Sequence, residues 1–299
     1  PPGLPPKRCE DVKIEVKGDY VPYKRRPYPC SLADEKFLKE KTEQLVRDGK
    51  IIPHVSSHGA PALVVRAKGK NPRLVINYGK LNQQALTPSV PMPNLPSLFK
   101  QLRPNMKYFT LFDILSAYHQ VRLAPESVDL TTFVVPNGSF AWKVTPMGLA
   151  TSPSIFVHVV SRIFYGIDGT LIYVDDILIA SETEEAHLQA IEEVLKRAKQ
   201  HELYLNLAKS KIFAQKVVYL GHILENGQLK TDPDKVKAMI EFPRPRNATA
   251  LRGFLGMIGF YRRFLPRIAE IAQPLWELTQ KKRTFEWEIK HDEAFKKLK

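Results

Sequence analysis

The sequence predicts an α+β fold with about two core-bearing units, and three observations support this. The chain has 299 residues, and globular domains average roughly 150 residues each. Apolar residues make up 43% and charged residues 25% of the chain, which is typical of a packed globular protein. Strand and helix patterns alternate until Asp232, after which the pattern is helical and basic. We therefore expect a mixed body followed by a small helical module.

The N-terminal elements are predicted in order as an arm, a helix and a hairpin. The first 30 residues are rich in proline and basic residues, which is typical of an extended arm on the surface. The segment SLADEKFLKEKTEQLVRDG spaces its apolar residues as a helix does, with Gly49 placed to end it. The segment ALVVRAKGKNPRLVINY then predicts a β-hairpin with a basic tip.

The central elements are predicted as strands and helices in alternation. The proline-rich connection TPSVPMPNLP leads to a strand at KYFTLFDIL, a hairpin turning at Asn137-Gly138, an apolar helix at SPSIFVHVVSRIF and a second hairpin at LIYVDDILIA. An amphipathic helix is expected over Thr183 to Leu203. The residues expected on its apolar face are Leu188, Ile191, Leu195 and Ala198.

The last elements are short strands around VVYLGHIL and then two helices. Asp232 followed by proline is a helix start signal for DPDKVKAMIEF. The segment ATALRGFLGMIGFYRRFLP predicts a second helix that ends at Pro266. In this helix Arg252, Gly256 and Phe260 share one face, and Leu251, Leu255 and Ile258 lie on another side, towards the core.

The charge balance favours a polyanionic partner. Lys and Arg number 45 and Asp and Glu 31, which gives a formal net charge of +14, so nucleic acid is the first candidate partner. A merely basic, soluble surface is the alternative. Cys9 and Cys30 are too few for a disulfide framework or a four-cysteine zinc site. No apolar run reaches about 18 residues, so we expect no membrane partner and an intracellular protein.

Three acidic residues are candidates for metal binding. Asp175 and Asp176 lie between two apolar β-rich runs, and Asp113 ends another apolar strand. Asp also forms turns readily, which is the simpler interpretation of the pair alone. Crowded carboxylates are tolerated where divalent cations neutralise them, and oxygen ligands suit Mg²⁺ or Mn²⁺. A basic protein with such a cluster is a candidate polymerase or nuclease.

Several motifs, in this order along the chain, resemble those of reverse transcriptases. Phe112-Asp113 with Tyr118 resembles their first catalytic motif, and Tyr173-Val174-Asp175-Asp176 resembles their catalytic hairpin. Between them, Pro146, Gly148, Ser152 and Pro153 resemble the template-and-nucleotide motif. Downstream, LNLAKSKIF, Tyr219 to Gly221 and LRGFLGMIGFYRRFLP resemble gypsy-type LTR retrotransposons, whereas HGAPALVV and VINY resemble caulimovirus-type pararetroviruses.

The resemblance implies a right-hand polymerase fold of fingers, palm and thumb. It implies DNA synthesis from deoxynucleoside triphosphates on an RNA or DNA template, with two Mg²⁺ ions for which Mn²⁺ can substitute. The implied division is an arm at 1–30, fingers at 31–83 and 119–145, palm at 84–118 and 146–230, and thumb at 231–299 with the start of a linker to an RNase H domain. We expect a segment of a pol polyprotein whose other domains are a protease, RNase H and an integrase.

The resemblance also implies roles for individual residues. Asp113, Asp175 and Asp176 would be catalytic and would hold the metal ions together with the backbone carbonyl of Ile114. The implied dNTP ligands are Lys68, Arg73, Ala117, Tyr118 as the steric gate against ribonucleotides, and Met147. The implied nucleic-acid contacts are Gly148, Ser152, Pro153, Tyr173, the primer grip at Tyr219, Leu220 and Gly221, and the thumb residues Arg252, Gly256 and Phe260.

The chain departs from the family pattern at two positions. Met147 stands where retroviral members carry Gln and gypsy-type members carry Phe, and Asn77-Tyr78-Gly79 stands where Asp-Tyr-Arg is usual. Lys70 is an alternative to Lys68 as phosphate ligand. Two other functions stay open at this point: a non-catalytic nucleic-acid-binding copy, as in an asymmetric dimer, and an RNA-dependent RNA polymerase. Cytoplasmic virus-like particles or virions are the expected location.

Overall fold

The structure is a computed structural model that describes residues 3–8, 11–69, 71–86, 94–280 and 284–299. The chain forms two compact units, which divide between Gln215 and Lys216. Each unit has its own cluster of buried apolar side chains, which agrees with two core-bearing units. The boundary lies 15 residues before the predicted start of the thumb at 231, because the sheet that follows Gln215 packs with the C-terminal helices as one unit.

Unit 1 alternates short strands with helices. Its strands are β1 (Ile51–Pro53), β2 (Ala60–Val65), β3 (Arg73–Ile76), β4 (Tyr108–Asp113), β5 (Phe133–Val135), β6 (Gly138–Trp142), β7 (Thr170–Tyr173), β8 (Asp176–Ser181) and β9 (Lys211–Ala214). Its helices are α1 (Leu32–Arg47), α2 (Gly79–Gln84), α3 (Leu95–Lys100), α4 (Pro125–Val128), α5 (Ser152–Ile163) and α6 (Glu184–Gln200). Ser31 caps α1 by accepting from the Asp34 backbone N–H, as expected of a serine at this position.

Two sheets organise unit 1. The first has the strand order β1-β6-β5-β2-β3 and contains the predicted basic hairpin β2–β3. The second has the order β7-β8-β4-β9, with β8 antiparallel to both of its neighbours. The central strands of the second sheet are almost continuously apolar, and Phe112, Ile177, Leu178 and Ile179 are fully buried. This packing fixes the register of β4 against β8.

Unit 2 consists of a three-stranded antiparallel sheet and four helices among the described residues. The strands are β10 (Lys216–Tyr219), β11 (His222–Glu225) and β12 (Gln228–Thr231). The helices are α7 (Pro233–Ile240), α8 (Ala248–Phe260), α9 (Ile268–Glu277) and α10 (Ile289–Lys297). The Asp232 side chain caps α7 as predicted. Leu251, Leu255 and Ile258 are buried in the helical core, which confirms their predicted side of α8.

The N-terminal arm is extended, but part of it is not on the surface. Val12 and Ile14 are each only 5% exposed and belong to the core of unit 1. Val12 exchanges backbone hydrogen bonds with Arg122 and Ala124, and the Ile14 N–H donates to Ser127 Oγ. The prediction of a surface arm is therefore wrong for residues 12–14, because two aliphatic side chains among basic residues were enough to anchor the segment.

The apolar face predicted for α6 is confirmed at two of its four residues and wrong at the other two. Leu188 and Leu195 are 52% and 42% exposed, whereas Ile191 and Ala198 are buried as expected. The buried face turns towards Val194 and His187, whose ring bonds to Thr110 Oγ1 and Ser181 Oγ. A histidine whose two ring nitrogens are both hydrogen-bonded can be buried at little cost, and a hydropathy pattern does not register this.

Two predicted element ends also differ from the structure. The β5–β6 hairpin pairs Val135 with Gly138, so its turn is at Pro136-Asn137 rather than Asn137-Gly138. Helix α8 ends at Phe260, well before Pro266, because Tyr261 leaves the helical conformation and a 3₁₀ turn follows at Arg262–Phe264. Most of the proline-rich connection, Lys70 and Cys9 lie outside the described residues. None of the described helices is both long and apolar enough to cross a membrane.

Candidate active site and nucleic-acid interface

The three predicted acids meet at one edge of the second sheet of unit 1. The register pairs Asp113, the last residue of β4, directly with Asp176, the first residue of β8. Asp175 lies in the two-residue turn between β7 and β8, where Tyr173 pairs with Asp176. The Ile114 N–H donates to the Asp175 carbonyl at 2.9 Å, which joins the end of β4 to this turn. We call Asp113, Asp175 and Asp176 the carboxylate cluster.

The turn that presents Asp175 is strained. Val174 has φ of 50°, a left-handed conformation that β-branched residues rarely adopt. Such strain costs of order 1–3 kcal/mol and persists only where the surrounding structure imposes it. Here the pairing of β7 with the buried strand β8 imposes it. The strained turn therefore places Asp175 beside Asp113 and Asp176.

The cluster is electrostatically unfavourable. Burial, followed by the charges of Asp113 and Asp175, raises the pKa of Asp176 to about 6. Burial and the charge of Asp113 also raise the pKa of Asp175. In both residues the ionised form is disfavoured, because it loses solvation and meets other negative charges. A cation bound nearby would reverse both effects.

The oxygen atoms of the carboxylate cluster are suitable ligands for a divalent cation, although the side chains are not arranged as a complete metal site. Among the described residues no group of three His, Cys, Asp or Glu side chains is arranged to hold a metal ion. However, Asp175 Oδ1 is buried and has no hydrogen-bond partner there. A buried, unpartnered carboxylate oxygen among other carboxylates is suited to a hard ion such as Mg²⁺.

Ser210 and Asn206 hold the backbone of Asp113, and the sequence reasoning missed both. The Asp113 N–H donates to Ser210 Oγ at 3.1 Å. The Ser210 hydroxyl donates to the Asn206 carbonyl at 2.8 Å, and the Asn206 N–H donates to the Asp113 carbonyl at 2.7 Å. These bonds close a ring around the end of β4. The motif LNLAKSKIF contained both residues, but its spacing gave no sign of contact with Asp113.

Gln120 fixes the turn that follows Asp113, and it was also missed. Its side-chain amide donates to the carbonyls of Leu115 and Tyr204 and accepts from the Tyr204 N–H, with distances of 2.6 to 2.9 Å. Gln120 is buried, and these three bonds use most of its hydrogen-bonding capacity. The turn after Asp113 is therefore tied to the segment that contains Asn206.

Tyr118 lies on the same edge as the carboxylates. It belongs to the 3₁₀ turn Ala117–Gln120, which follows Ser116 in a left-handed conformation. Its half-buried ring packs edge-on against Phe156 of α5, with 5.8 Å between ring centroids. Burial and the charge of Asp175 raise its pKa to about 12, so the hydroxyl stays protonated at neutral pH. Ala117, the residue before it, is buried at 3% exposure.

The loop before α5 exposes Met147 and Gly148. The Met147 side chain is 54% exposed. Gly148 has φ of +95°, and an added Cβ would lie 3.3 Å from the Ile76 carbonyl oxygen, so a side chain is disfavoured there. Asn82 of α2 fixes the loop by donating to the Gly148 carbonyl and accepting from the Ala150 N–H, both at 2.9 Å.

Two predicted contacts at the start of α5 have structural roles here. Ser152 is 1% exposed, and its hydroxyl donates to the Pro146 carbonyl at 3.0 Å. Pro153 lies in the first turn of α5, where its missing N–H costs nothing. Both residues therefore shape the loop that presents Met147.

The predicted phosphate ligands lie on the β2–β3 hairpin. Arg73 begins β3 opposite Val65, and Lys68 lies in the connecting turn. Both are exposed, and neither forms an ion pair with a described residue. Arg66, on the same hairpin, differs because it pairs with Asp34 at 2.5 Å. Arg73 and Lys68 are thus available to bind an anion.

The predicted primer grip is the two-residue turn between β10 and β11. Leu220 and Gly221 have φ of 48° and 70°, the positive values that a tight hairpin turn requires. Tyr219 is fully buried, so only Leu220 and Gly221 are accessible in this turn. The Tyr261 hydroxyl donates to the Gly221 carbonyl at 2.5 Å, and the Phe260 ring packs against Gly221. The turn and the end of α8 are therefore one packed element.

The exposed side of α8 is open, as predicted for Gly256. An added Cβ at Gly253, Gly256 or Gly259 would meet no atom within 4 Å beyond the backbone of α8 itself. Helix–helix contact, the alternative explanation of Gly256, is therefore absent among the described residues. Phe260 is 41% exposed on this side. Arg252 is exposed, and it donates to the Thr279 carbonyl at 2.6 Å, so part of its guanidinium is already bonded.

Solved structures match this chain over most of its length. A foamy viral protease–reverse transcriptase in complex with double-stranded DNA superposes with a TM-score of 0.84 at 22% identity, covering 95% of this chain and 52% of the other. The same viral protein in complex with an RNA/DNA hybrid gives 0.80 at 23% identity, covering 95% of this chain and 39% of the other. These matches confirm the α+β right-hand polymerase fold.

Two curated relatives are similar to this chain over most of its length. The Pol polyprotein of the Drosophila melanogaster transposon gypsy is 35% identical over 87% of this chain, and the enzymatic polyprotein of figwort mosaic virus is 33% identical over 92%. This chain spans 26% and 42% of their lengths.

The family model for reverse transcriptase (RNA-dependent DNA polymerase) matches residues 65–224, more than half of the chain. Enzymes of this family use divalent metal ions. The fold, the carboxylate cluster and these matches together show that the chain belongs to the reverse transcriptase family, in the group of gypsy-type retrotransposons and caulimovirus-type pararetroviruses.

Proposed function

We propose that this chain catalyses DNA synthesis from dNTPs onto a primer 3′-hydroxyl, with either RNA or DNA as template. The observation that carries the proposal is the carboxylate cluster: Asp113 and Asp176 are directly paired, and the strained turn adds Asp175 with an unpartnered buried oxygen. The energetic cost of this arrangement is explained if cations bind there. Family membership supports the same activity.

Two Mg²⁺ ions, for which Mn²⁺ can substitute, would be held by Asp113, Asp175, Asp176 and the Ile114 carbonyl. When bound, such ions activate the attacking hydroxyl and neutralise charge on the leaving oxygen. The protein fixes the ligands beforehand: Ser210 and Asn206 hold Asp113, and the β7–β8 pairing holds Asp175 and Asp176. The ligand backbone therefore does not need to reorganise during the reaction.

Substrate binding is assigned to the exposed residues around the cluster. Arg73 and Lys68 bind the triphosphate together with Ala117, and the Tyr118 ring, which packs on Phe156, excludes a 2′-hydroxyl. Met147 packs beside the incoming nucleotide, an apolar contact that donates no hydrogen bond. The template and primer contact Gly148, Tyr173, the grip turn, and the Arg252, Gly256 and Phe260 side of α8.

The relatives suggest the context in which this activity operates. They are Pol or enzymatic polyproteins, so we propose that the chain works beside protease and RNase H domains, and an integrase in retrotransposon relatives. The proposed location is cytoplasmic virus-like particles or virions. Dimer formation is part of the same proposal.

Primer extension tests the proposal directly. A poly(rA)/oligo(dT) hybrid is extended in Mg²⁺ with dTTP or with UTP, using wild type and the variants Asp113→Asn, Asp175→Asn and Asp176→Asn. We expect dTTP incorporation by wild type and its loss in all three variants, with hybrid affinity kept within a few-fold because much of that affinity comes from basic groups. Asp168→Asn, just before β7, is the matched control and should extend normally.

Each other outcome selects a different function. Preferential UTP incorporation would indicate an RNA polymerase, and binding of the hybrid without synthesis would indicate a non-catalytic copy. If a cluster variant kept the wild-type rate in Mg²⁺, the metal-ligand assignment would be wrong.

A further inference from the structure

Strand β9 contains one residue more than the stretch of β4 with which it pairs. On either side of the irregularity the paired residues are Phe109 with Ala214 and Leu111 with Lys211. Thr110 alone lies between these pairs on β4, whereas β9 has Ile212 and Phe213 there. Two residues opposite one form a β-bulge, which shifts the strand pairing by one residue. We call this irregularity the β9 bulge.

The β9 bulge is strained at Phe213. The φ of this residue is 56°, a left-handed conformation that is rare for a bulky side chain and that glycine usually adopts at a bulge. Such strain persists only where the neighbouring groups impose it. A bulge also interrupts the regular ladder of backbone hydrogen bonds, so the Phe213 N–H needs an acceptor from elsewhere.

Thr110 supplies this acceptor, and His187 of α6 holds Thr110. The Phe213 N–H donates to Thr110 Oγ1 at 3.0 Å, and the same oxygen lies 2.9 Å from His187 Nε2. On the other side of the ring, His187 Nδ1 lies 3.0 Å from Ser181 Oγ. Burial lowers the pKa of His187, and a neutral ring can accept the Thr110 hydroxyl proton at Nε2 while it donates to Ser181 from Nδ1. The Thr110 oxygen then keeps a lone pair for Phe213.

These groups are closed off from water. Thr110 and His187 are both 0% exposed. The Phe213 ring packs against His187 and Tyr108, with 5.3 Å between ring centroids in each pair. Removing the Thr110 hydroxyl would leave buried groups without a partner, and water could not replace it. The β9 bulge therefore depends on this side-chain network.

The β9 bulge determines the direction in which Ser210 points. Ser210 directly precedes Lys211, the first residue of β9, so it lies on the shifted side of the bulge. A shift of one residue turns a side chain to the opposite face of a sheet. In the observed register Ser210 Oγ accepts from the Asp113 N–H at 3.1 Å. Without the bulge the hydroxyl would point away from the end of β4.

We propose that Thr110 and His187 are positioning residues for the carboxylate cluster. They hold the β9 bulge, the bulge directs Ser210 to the backbone of Asp113, and Asp113 is thereby kept in place as a metal ligand. Thr110 is three residues from Asp113 along β4, about 10 Å, so the effect passes through the strands. The inference rests on the proposed function for the role of Asp113 in binding metal.

Variants at Thr110 and His187 separate positioning from general stability. Thr110→Val keeps the shape of the side chain and removes the hydroxyl, whereas Thr110→Ser retains the hydroxyl. His187→Leu removes both ring bonds. The control is Thr42→Val in α1, because Thr42 is also 0% exposed and its hydroxyl bonds the carbonyls of Leu38 and Lys39 in its own helix. Melting temperatures establish how much each variant is destabilised.

Amide exchange, Mg²⁺ binding and steady-state kinetics test the proposal. Hydrogen exchange at the Phe213 and Asp113 amides is measured without metal, and Mg²⁺ binding is measured as the concentration that gives half of the maximal rise in melting temperature. In Thr110→Val we expect faster exchange at both amides. The required Mg²⁺ concentration should rise roughly tenfold, as for other groups that orient metal ligands.

The kinetic constants are measured with dTTP on a poly(rA)/oligo(dT) hybrid. In Thr110→Val kcat should fall roughly tenfold while KM for dTTP stays within about twofold, because the dNTP contacts are intact. His187→Leu should show the same pattern. Thr110→Ser should restore exchange protection, Mg²⁺ binding and kcat. Thr42→Val should lower the melting temperature and leave the other measurements unchanged. Thr110→Val decides the question if His187→Leu does not fold.

Equal losses in Thr110→Val and Thr42→Val would show general destabilisation and would overturn the proposal. Thr110→Val with normal Mg²⁺ binding and normal exchange at Asp113 would overturn it too, as would a Thr110→Ser variant as impaired as Thr110→Val. A wild type that makes no DNA would refute the proposed function instead. The exchange and Mg²⁺ measurements need no nucleotide, so they would still support or overturn the positioning role.

Discussion

In unit 1 the residues that oppose folding are half-buried carboxylates, whereas in unit 2 they are glycines on the open side of a helix. The carboxylate cluster loses solvation and suffers mutual repulsion. Gly253, Gly256 and Gly259 lower the stability of α8 by up to about 1 kcal/mol each through backbone entropy. The difference indicates two kinds of function: the cluster requires particular charges at particular positions, whereas the glycine side of α8 requires only the absence of side chains.

Removing the Tyr118 ring gives the largest effect expected from this comparison. If the Tyr118 ring excludes ribonucleotides, Tyr118→Val should open space for a 2′-hydroxyl. The ratio of kcat/KM for dNTP over that for rNTP should then fall by roughly tenfold or more. Tyr118→Phe keeps the ring that packs on Phe156 and should keep the ratio. Steady-state kinetics with both nucleotide types measure it. An unchanged ratio in Tyr118→Val would remove the steric gate from this residue.

Gly221, in the turn between β10 and β11, should be the glycine in unit 2 that tolerates substitution least. Gly221 has φ of +70°, and an added Cβ would lie 3.2 Å from the Phe260 ring. Gly221→Ala should therefore lower the free energy of unfolding by about 1–3 kcal/mol. Gly256→Ala, with nothing within 4 Å, is the matched control and should not destabilise. Chemical denaturation compares the two, and equal values would contradict the packing of Phe260 on this turn.

Neutralising one carboxylate should separate stability from activity in unit 1. Without divalent ions, Asp176→Asn removes a half-buried charge that is repelled by Asp113 and Asp175, so the melting temperature should rise by roughly a few degrees. Saturating Mg²⁺ should stabilise wild type more than the variant, since ligand binding stabilises the folded state. Thermal melts with EDTA and with Mg²⁺ measure both effects. If Mg²⁺ stabilised the two proteins equally, Asp176 would not be a metal ligand.

The smallest expected change in stability is at Gly256. Helix propensity predicts that Gly256→Leu stabilises α8 by up to about 1 kcal/mol, because the position is open. A bulky side chain on a side that contacts duplex should nevertheless shorten the products made in one binding event. Denaturation together with a processivity assay in the presence of a trap distinguishes the two effects. Normal product length would place the duplex elsewhere.

The sequence predicted that Asp113, Asp175 and Asp176 lie together, because the cause of their proximity is local. Asp113 ends an apolar strand, and Asp175 and Asp176 interrupt two others, so strand pairing alone brings them to one edge. Ser210, Asn206 and Gln120 could not be found in this way, since each bonds to a backbone group of a residue distant in the chain. His187 on α6 shows the same limit, because its burial depends on hydroxyl partners in other elements.

The burial of Val12 and Ile14 sets a limit on how this chain can be cut. A protease acting between residues 16 and 31 would separate these two side chains from the core that they fill. Burying an aliphatic side chain contributes roughly 1.5–3 kcal/mol, and the cut would also release the Val12 backbone bonds to Arg122 and Ala124. Maturation by proteolysis is compatible with this fold when the cleavage site lies before Val12, and a recombinant fragment should begin there too.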